Sequence, residues 1–177
     1  MASLDMFETL DQVFEATEGS YLAFIHLLDS SEVEEAVKRV VACEGRVPDS
    51  LVHELIRAAD GSWRETLLGL VLASLKGPVQ FAESMLAALA RPRGLCLVPL
   101  GAALLVACEQ GFPYSQASAR ALDREPFNGE VGYALDCLEH ALRLGAPPTY
   151  PAGPNDGQSF AEQCDFYRGV IALAPGP

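Results

Sequence analysis

Helix breakers recur along this chain at nearly even intervals. Gly61, Gly77-Pro78, Gly94, Gly111 and Gly129 stand about 17 residues apart, and the segments between them carry apolar residues at helical spacing. Each interval has room for one helix and a turn. Two helices per roughly 34 residues is the cadence of an α-solenoid, although a closed helical bundle gives a similar spacing. Leu and Ala recur throughout, while β-branched and aromatic clusters are scarce apart from short valine pairs. The expected class is all-α, a single domain over residues 1–177 built as stacked antiparallel helices, with the closed bundle as the alternative.

Local signals place the helices. Leu4, Phe7, Leu10, Val13 and Phe14 share one face, predicting a helix over 4–18 that breaks at Gly19. Tyr21 to Leu28 reads as a short second helix. Ser31-Glu32-Val33-Glu34 is a capping-box pattern, opening a helix whose face carries Val33, Ala36, Val37, Val40 and Val41. Pro48 opens the next, with Leu51, Val52, Leu55 and Ile56 inward, and these elements form an acidic N-terminal part, 1–60. Over 61–145 runs a core of helical pairs. Ser62 caps a very apolar helix to Lys76, Gly77-Pro78 starts another, Arg91-Pro92-Arg93-Gly94 is a turn, and a long apolar helix reaches about Gln110. A shorter helix is expected within 114–124 and an amphipathic one from Glu130 to Leu144. Residues 146–158, with four prolines and two glycines, read as a loop, and 159–174 as a helix that docks back on the body.

Charge is as uneven as the helix breakers are even. The first 37 residues hold nine carboxylates and no Lys or Arg; the other 140 hold fifteen acids against twelve bases. On the first predicted helix Asp5, Glu8, Asp11, Glu15 and Glu18 recur every three or four residues and form one stripe. Like charges at that spacing cost about 0.2–0.5 kcal/mol per pair in a helix, with no base on the same helix to offset them. Glu34 and Glu35, by contrast, precede Lys38 and Arg39 by four, the favourable orientation for local ion pairs. Acidic stripes also serve simply as solvated faces. As a functional surface the stripe would steer a basic protein partner, with Glu32, Glu35 and Glu54 as further contacts and Trp63 or Tyr21 as apolar anchors. The net charge of −12 argues against binding to nucleic acid or to an anionic membrane surface.

Catalytic and cofactor signatures are missing. His26, His53 and His140 fall on three predicted helices in no ligand spacing; His26 reads as a core residue, and His53 and His140 as exposed helix surface. The five cysteines are far apart and mostly in apolar runs, with no Cys-x-x-Cys, which reads as reduced core thiols in a cytoplasmic protein. Cys137 and His140 share a helix but lack an orienting third group. No glycine-rich phosphate loop, signal peptide or bilayer-length apolar run is present, so no cofactor, metal or catalytic residue is assigned.

Gly61-Ser62-Trp63-Arg64-Glu65, then Leu67-Leu68-Gly69-Leu70 and Gln80-Phe81, resembles the Trp-Arg-opened helices of small HEAT-like bacterial proteins. Many of those are immunity proteins of polymorphic or type VI toxin systems. The resemblance spans 61–145 and implies a small acidic cytosolic protein that binds a cognate toxin and blocks it. It carries over no functional residues, because such contacts differ from pair to pair. The leading expectation is therefore a non-enzymatic inhibitor that occludes a basic effector with its acidic N-terminal surface. A secretion chaperone or adaptor is the second, and would present an apolar groove instead. An enzyme with a site assembled from scattered residues is the third.

Overall fold

A computed structural model of the chain describes residues 6–18, 20–27, 30–57, 63–90, 96–120, 122–125, 129–148 and 156–174. Among these residues the chain is all-helical, without a strand. The helices are α1 (Leu10–Thr17), α2 (Ala23–His26), α3 (Ser30–Glu44), α4 (Asp49–Arg57), α5 (Trp63–Lys76), α6 (Ala82–Leu89), α7 (Leu97–Glu109), α8 (Gln116–Arg120), α9 (Glu130–Ala141) and α10 (Asp156–Ala172). Short 3₁₀ turns precede α2 and α6.

Two helices organise the rest. Thr66 to Leu75 of α5 are all buried, as is nearly all of α7 from Leu97 to Ala107, so both are apolar on every face and must lie inside. They touch each other. Helix α4 packs along α5 and against α6, α6 packs on α7, and α9 covers another face of α7. Helix α3 packs on α5, α1 sits on α3, and α10 lies across both α7 and α5. One contiguous apolar core runs through all of these, from Phe7 to Val170.

Small residues set how closely the helices cross. At Gly69 of α5 an added Cβ would stand 2.8 Å from both the Ile56 backbone nitrogen and Leu55 Cβ of α4. At Gly101 of α7 it would stand 3.1 Å from the Ala134 carbonyl of α9 and 3.2 Å from the Phe160 ring of α10. Polar ties lock the ends. Lys76 Nζ, at the C-terminus of α5, lies 3.3 Å from Glu44 of α3 and 3.4 Å from Asp49 of α4. Arg168 of α10 grips Glu109 of α7 with both Nε and Nη2, at 3.0 and 2.6 Å.

Several local expectations change. The first helix starts at Leu10, with the described residues 6–9 outside it and Leu4 outside the described residues, because Thr9 and Gln12 form a capping box there. Phe7 is still buried, but from an extended segment: its N–H donates to the Arg46 carbonyl at 2.8 Å and its ring lies under the Arg46 guanidinium. Helix α3 begins at Ser30, so Ser31 lies in its first turn rather than at the cap. The helix from Glu130 ends at Ala141, where Arg143 turns with φ 59, and α10 begins at Asp156, inside the stretch read as loop. The Ser62 cap, the 91–94 turn and residues 149–155 of the loop lie outside the described residues. His53 is half-buried rather than exposed: its Nδ1 is 2.8 Å from Ser84 Oγ of α6, and its ring stacks on Phe81 at 4.8 Å. A helical face read in isolation does not reveal that α6 covers it.

Candidate functional site

Helices α3 and α10 both rest on α5 without closing on each other, and the gap between them is a groove of about 1020 Å³. Its α3 wall is Val33, Val37 and Val41; its α10 wall is Phe166 and Val170, continued by Leu173 just past the helix C-terminus. These residues recur at i, i+4 on α3 and i, i+4, i+7 along α10 and its end, so each helix gives the groove a whole face. Leu27, at the C-cap of α2, contributes to one end. Gln163 holds α10 in place there, donating from Nε2 to the buried Phe24 carbonyl at 3.0 Å, while Phe24 and Phe166 stack at 5.5 Å.

Gly169 sits in the middle of the α10 wall. It is the one residue of that wall without a side chain, and a Cβ there would meet nothing within 4 Å. Glycine inside a helix costs about 0.5–1 kcal/mol relative to alanine. At Gly69 and Gly101 that cost accompanies a close helix crossing; at Gly169 no contact among the described residues requires it. Leu173, at the end of the same wall, is 57% exposed, one of the few large apolar side chains left to solvent.

The lining also carries Glu34, Glu162 and Asp165 against a single base, Lys38. Glu34 pairs with Lys38 at 2.8 Å, and that hydrogen bond and charge hold the carboxyl below its ordinary pKa and the ammonium above its own. Asp165 pairs with Arg168 at 2.7 Å. The lining thus offers carboxylates, an ammonium and the Ser30 hydroxyl, and among the described residues brings no histidine or cysteine to the groove.

The acids singled out in the sequence are dispersed. Asp5 lies outside the described residues. Glu8 precedes α1, and only Asp11 and Glu15 stand on that helix, both exposed. Glu18 is its C-cap at φ 48, and Arg39 of α3 comes within 3.6 Å of it, so the stripe is partly neutralised from a neighbouring helix. The same Arg39 is 3.9 Å from Glu35. Glu18, Glu32 and Glu35 do meet, around a small pocket of about 340 Å³ on the other flank of α3. Glu54 is exposed on α4, which packs on α5 and α6. Tyr21 and Trp63 are both half-buried and pack edge to face at 6.0 Å, with Arg64 over both rings.

Other chemistry is sparse. Among the described residues no group of three or more His, Cys, Asp or Glu side chains could hold a metal ion, and no helix is long and apolar enough to cross a membrane. All five cysteines are free; Cys43, Cys96, Cys137 and Cys164 are buried and Cys108 is half-buried. Burial pushes the Cys164 thiol up to about 12 and, with help from Glu109, that of Cys108 up to about 11. Neither is an activated nucleophile. His140 is exposed while Cys137 on the same helix is buried, and the His26 side chain lies outside the description. Sequence reasoning missed the groove. Its one signal was Gly169, a helix-weakening residue inside a predicted helix.

Compared with protein-family models, with curated proteins and with solved structures, the chain shows no match.

Proposed function

We propose that this chain is a non-catalytic binding protein that holds a segment of a partner protein in the groove between α3 and α10. The observation that carries this reading is the groove: two helices present full apolar faces to a gap that nothing within the described chain fills. An apolar trough rimmed by charge is the form in which proteins receive partner helices. Of the charged groups in the lining, Glu34 is paired with Lys38 and Asp165 with Arg168 along their own helices, so they serve as a charged rim rather than converging on a reacting centre.

This moves the proposed contact surface away from the acidic stripe. The biological setting implied by the sequence resemblance, inhibition of a basic toxin in the cytoplasm of a bacterium, is retained as a proposal, with the acids steering the encounter rather than plugging a cleft. The apolar floor favours a second reading, a secretion chaperone or adaptor, because that class needs a groove of this kind. In either case we read α4–α5 and α6–α7 as stacked helical pairs of the HEAT-like type, with α10 returning across them.

The test is co-purification from the native host with three forms of the tagged protein: wild type, Gly169→Leu, and the triple change Glu8→Gln, Asp11→Asn, Glu15→Gln. The groove reading predicts one partner that survives a high-salt wash on wild type and on the triple variant, and is missing from Gly169→Leu. A partner lost from the triple variant and kept by Gly169→Leu would return the binding surface to the acidic stripe. Activity of the recovered partner, free and bound, then separates inhibitor from chaperone.

A further inference from the structure

Resting on the groove as the binding surface, we infer that its occupant is an amphipathic α-helix of about three turns with a Lys- or Arg-bearing flank, seated closest to α10 at Gly169. The length comes from the walls. Ser30 to Ala42 on α3 and Glu162 to Leu173 on α10 line the groove, and at 1.5 Å per residue each wall runs roughly 17–18 Å, or about three turns. A trough of about 1020 Å³ lies at the upper limit of small-molecule sites, which span roughly 300–1,000 Å³ and are lined around their ligand. An extended peptide is disfavoured because strand addition needs a sheet edge with open backbone groups, and both walls are helices.

Gly169 fixes where the occupant comes nearest. A side chain there would project into free space midway along the wall, between the turns that carry Phe166 and Leu173. Its absence lets a large residue or the backbone of a docked helix approach α10 at that turn, as small residues allow at Gly69 and Gly101 within the core. Charge selects the sign of the occupant. Glu34 is matched by Lys38, while Asp165 has to share Arg168 with Glu109, so the rim keeps more carboxylates than bases, and the whole chain carries −12. A second copy of this chain would bring like charge to the rim, whereas a basic helix complements it.

The experiment uses two fluorescein-labelled 14-residue amphipathic peptides with one leucine pattern, one filled with lysine and the other with glutamate. Both are titrated by anisotropy against wild type, Gly169→Leu and Ala42→Phe, the last blocking the opposite wall. The charge variant Glu162→Gln/Asp165→Asn completes the set. Circular dichroism confirms that each variant is folded, and either wall variant alone suffices if the other fails to fold. The inference predicts that the lysine peptide binds wild type at least tenfold tighter than the glutamate peptide. Filling the groove from either wall weakens it at least tenfold, although net charge is unchanged. The charge variant weakens it severalfold at low salt and little at high salt. If both peptides bind equally and Gly169→Leu weakens both, the groove stands as a docking site and the basic-helix inference is wrong. If the lysine peptide is indifferent to both wall variants, the groove reading itself fails.

Discussion

Gly69 offers the sharpest test of the packing. Replacing it with alanine places a methyl carbon 2.8 Å from the Ile56 nitrogen and Leu55 Cβ and 3.0 Å from Ile56 Cγ1. Comfortable contacts between such atoms lie at about 3.5–4.0 Å, so α4 and α5 must part by roughly 0.7 Å or more. Ile56 Cγ1 can swing aside, but the backbone nitrogen of a helix cannot. Overpacking of a rigid site costs about 1–3 kcal/mol, and the upper part of that range applies here. Alanine recovers about 0.8–1.0 kcal/mol of helix propensity, which leaves a net loss of about 2 kcal/mol. For a chain of this length that corresponds to a fall in Tm of roughly 4–8 °C. The control is the same substitution at Gly169, where the new methyl meets nothing. There the propensity gain is unopposed, and stability should rise by about 0.4–1 kcal/mol. Urea unfolding followed by far-UV circular dichroism should move the two midpoints in opposite directions at constant m. If Gly69→Ala unfolds at or above the wild-type midpoint, the α4–α5 crossing is not as close as described and the reasoning fails.

Other expectations follow from single contacts. Lys76→Met should cost about 1–3 kcal/mol, because it strips the nearest cation from Glu44, which is only 17% exposed, and a positive charge from the end of α5; Lys76→Arg keeps that charge and should avoid most of the loss, as read by thermal melting. Tyr167 is fully buried, and among the described residues its hydroxyl finds no hydrogen-bond partner, so Tyr167→Phe should be neutral or stabilising by up to about 1–2 kcal/mol; a loss above that range would reveal a hidden partner. Native protein at pH 8 should react with a thiol reagent slowly and at Cys108 first, with all five thiols reacting in urea; rapid reaction at Cys164 would contradict its burial. The sign of the linkage is set by the same burial. The folded Cys164 thiol stays neutral up to about 12, so its contribution is intact below the ordinary value of 9.0 and declines as pH rises through 9–12 and the unfolded thiol ionises. The urea midpoint should therefore drift down from pH 9 to pH 11.

How much could be read from the sequence depends on which interactions stay local. Helix α5 was legible to the residue at its C-terminus, since its all-apolar run ends in Lys76-Gly77-Pro78 and the observed helix stops at Lys76. The Glu34–Lys38 pair was legible because both partners share one helix. The start of α1 was misplaced, although Thr9-x-x-Gln12 is itself a capping-box pattern; apolar periodicity carried on through it, because Phe7 is buried for a different reason, its contact with Arg46. Partners from other helices stayed hidden. Nothing near Glu18 announces Arg39, and nothing near His53 announces Ser84. The groove was hidden for the same reason: Val33, Val37 and Val41 have the spacing of a core face, Val37 is indeed buried, and only the placement of α10 leaves Val33 and Val41 half-exposed on either side of it.

The most direct test of the groove is methyl NMR of the labelled protein titrated with the lysine-filled amphipathic peptide. Shifts should concentrate on Val33, Val41, Val170 and Leu173, while Val13, on the buried face of the acidic helix α1, stays still. Shifts centred on Val13, with those four methyls unmoved, would contradict it.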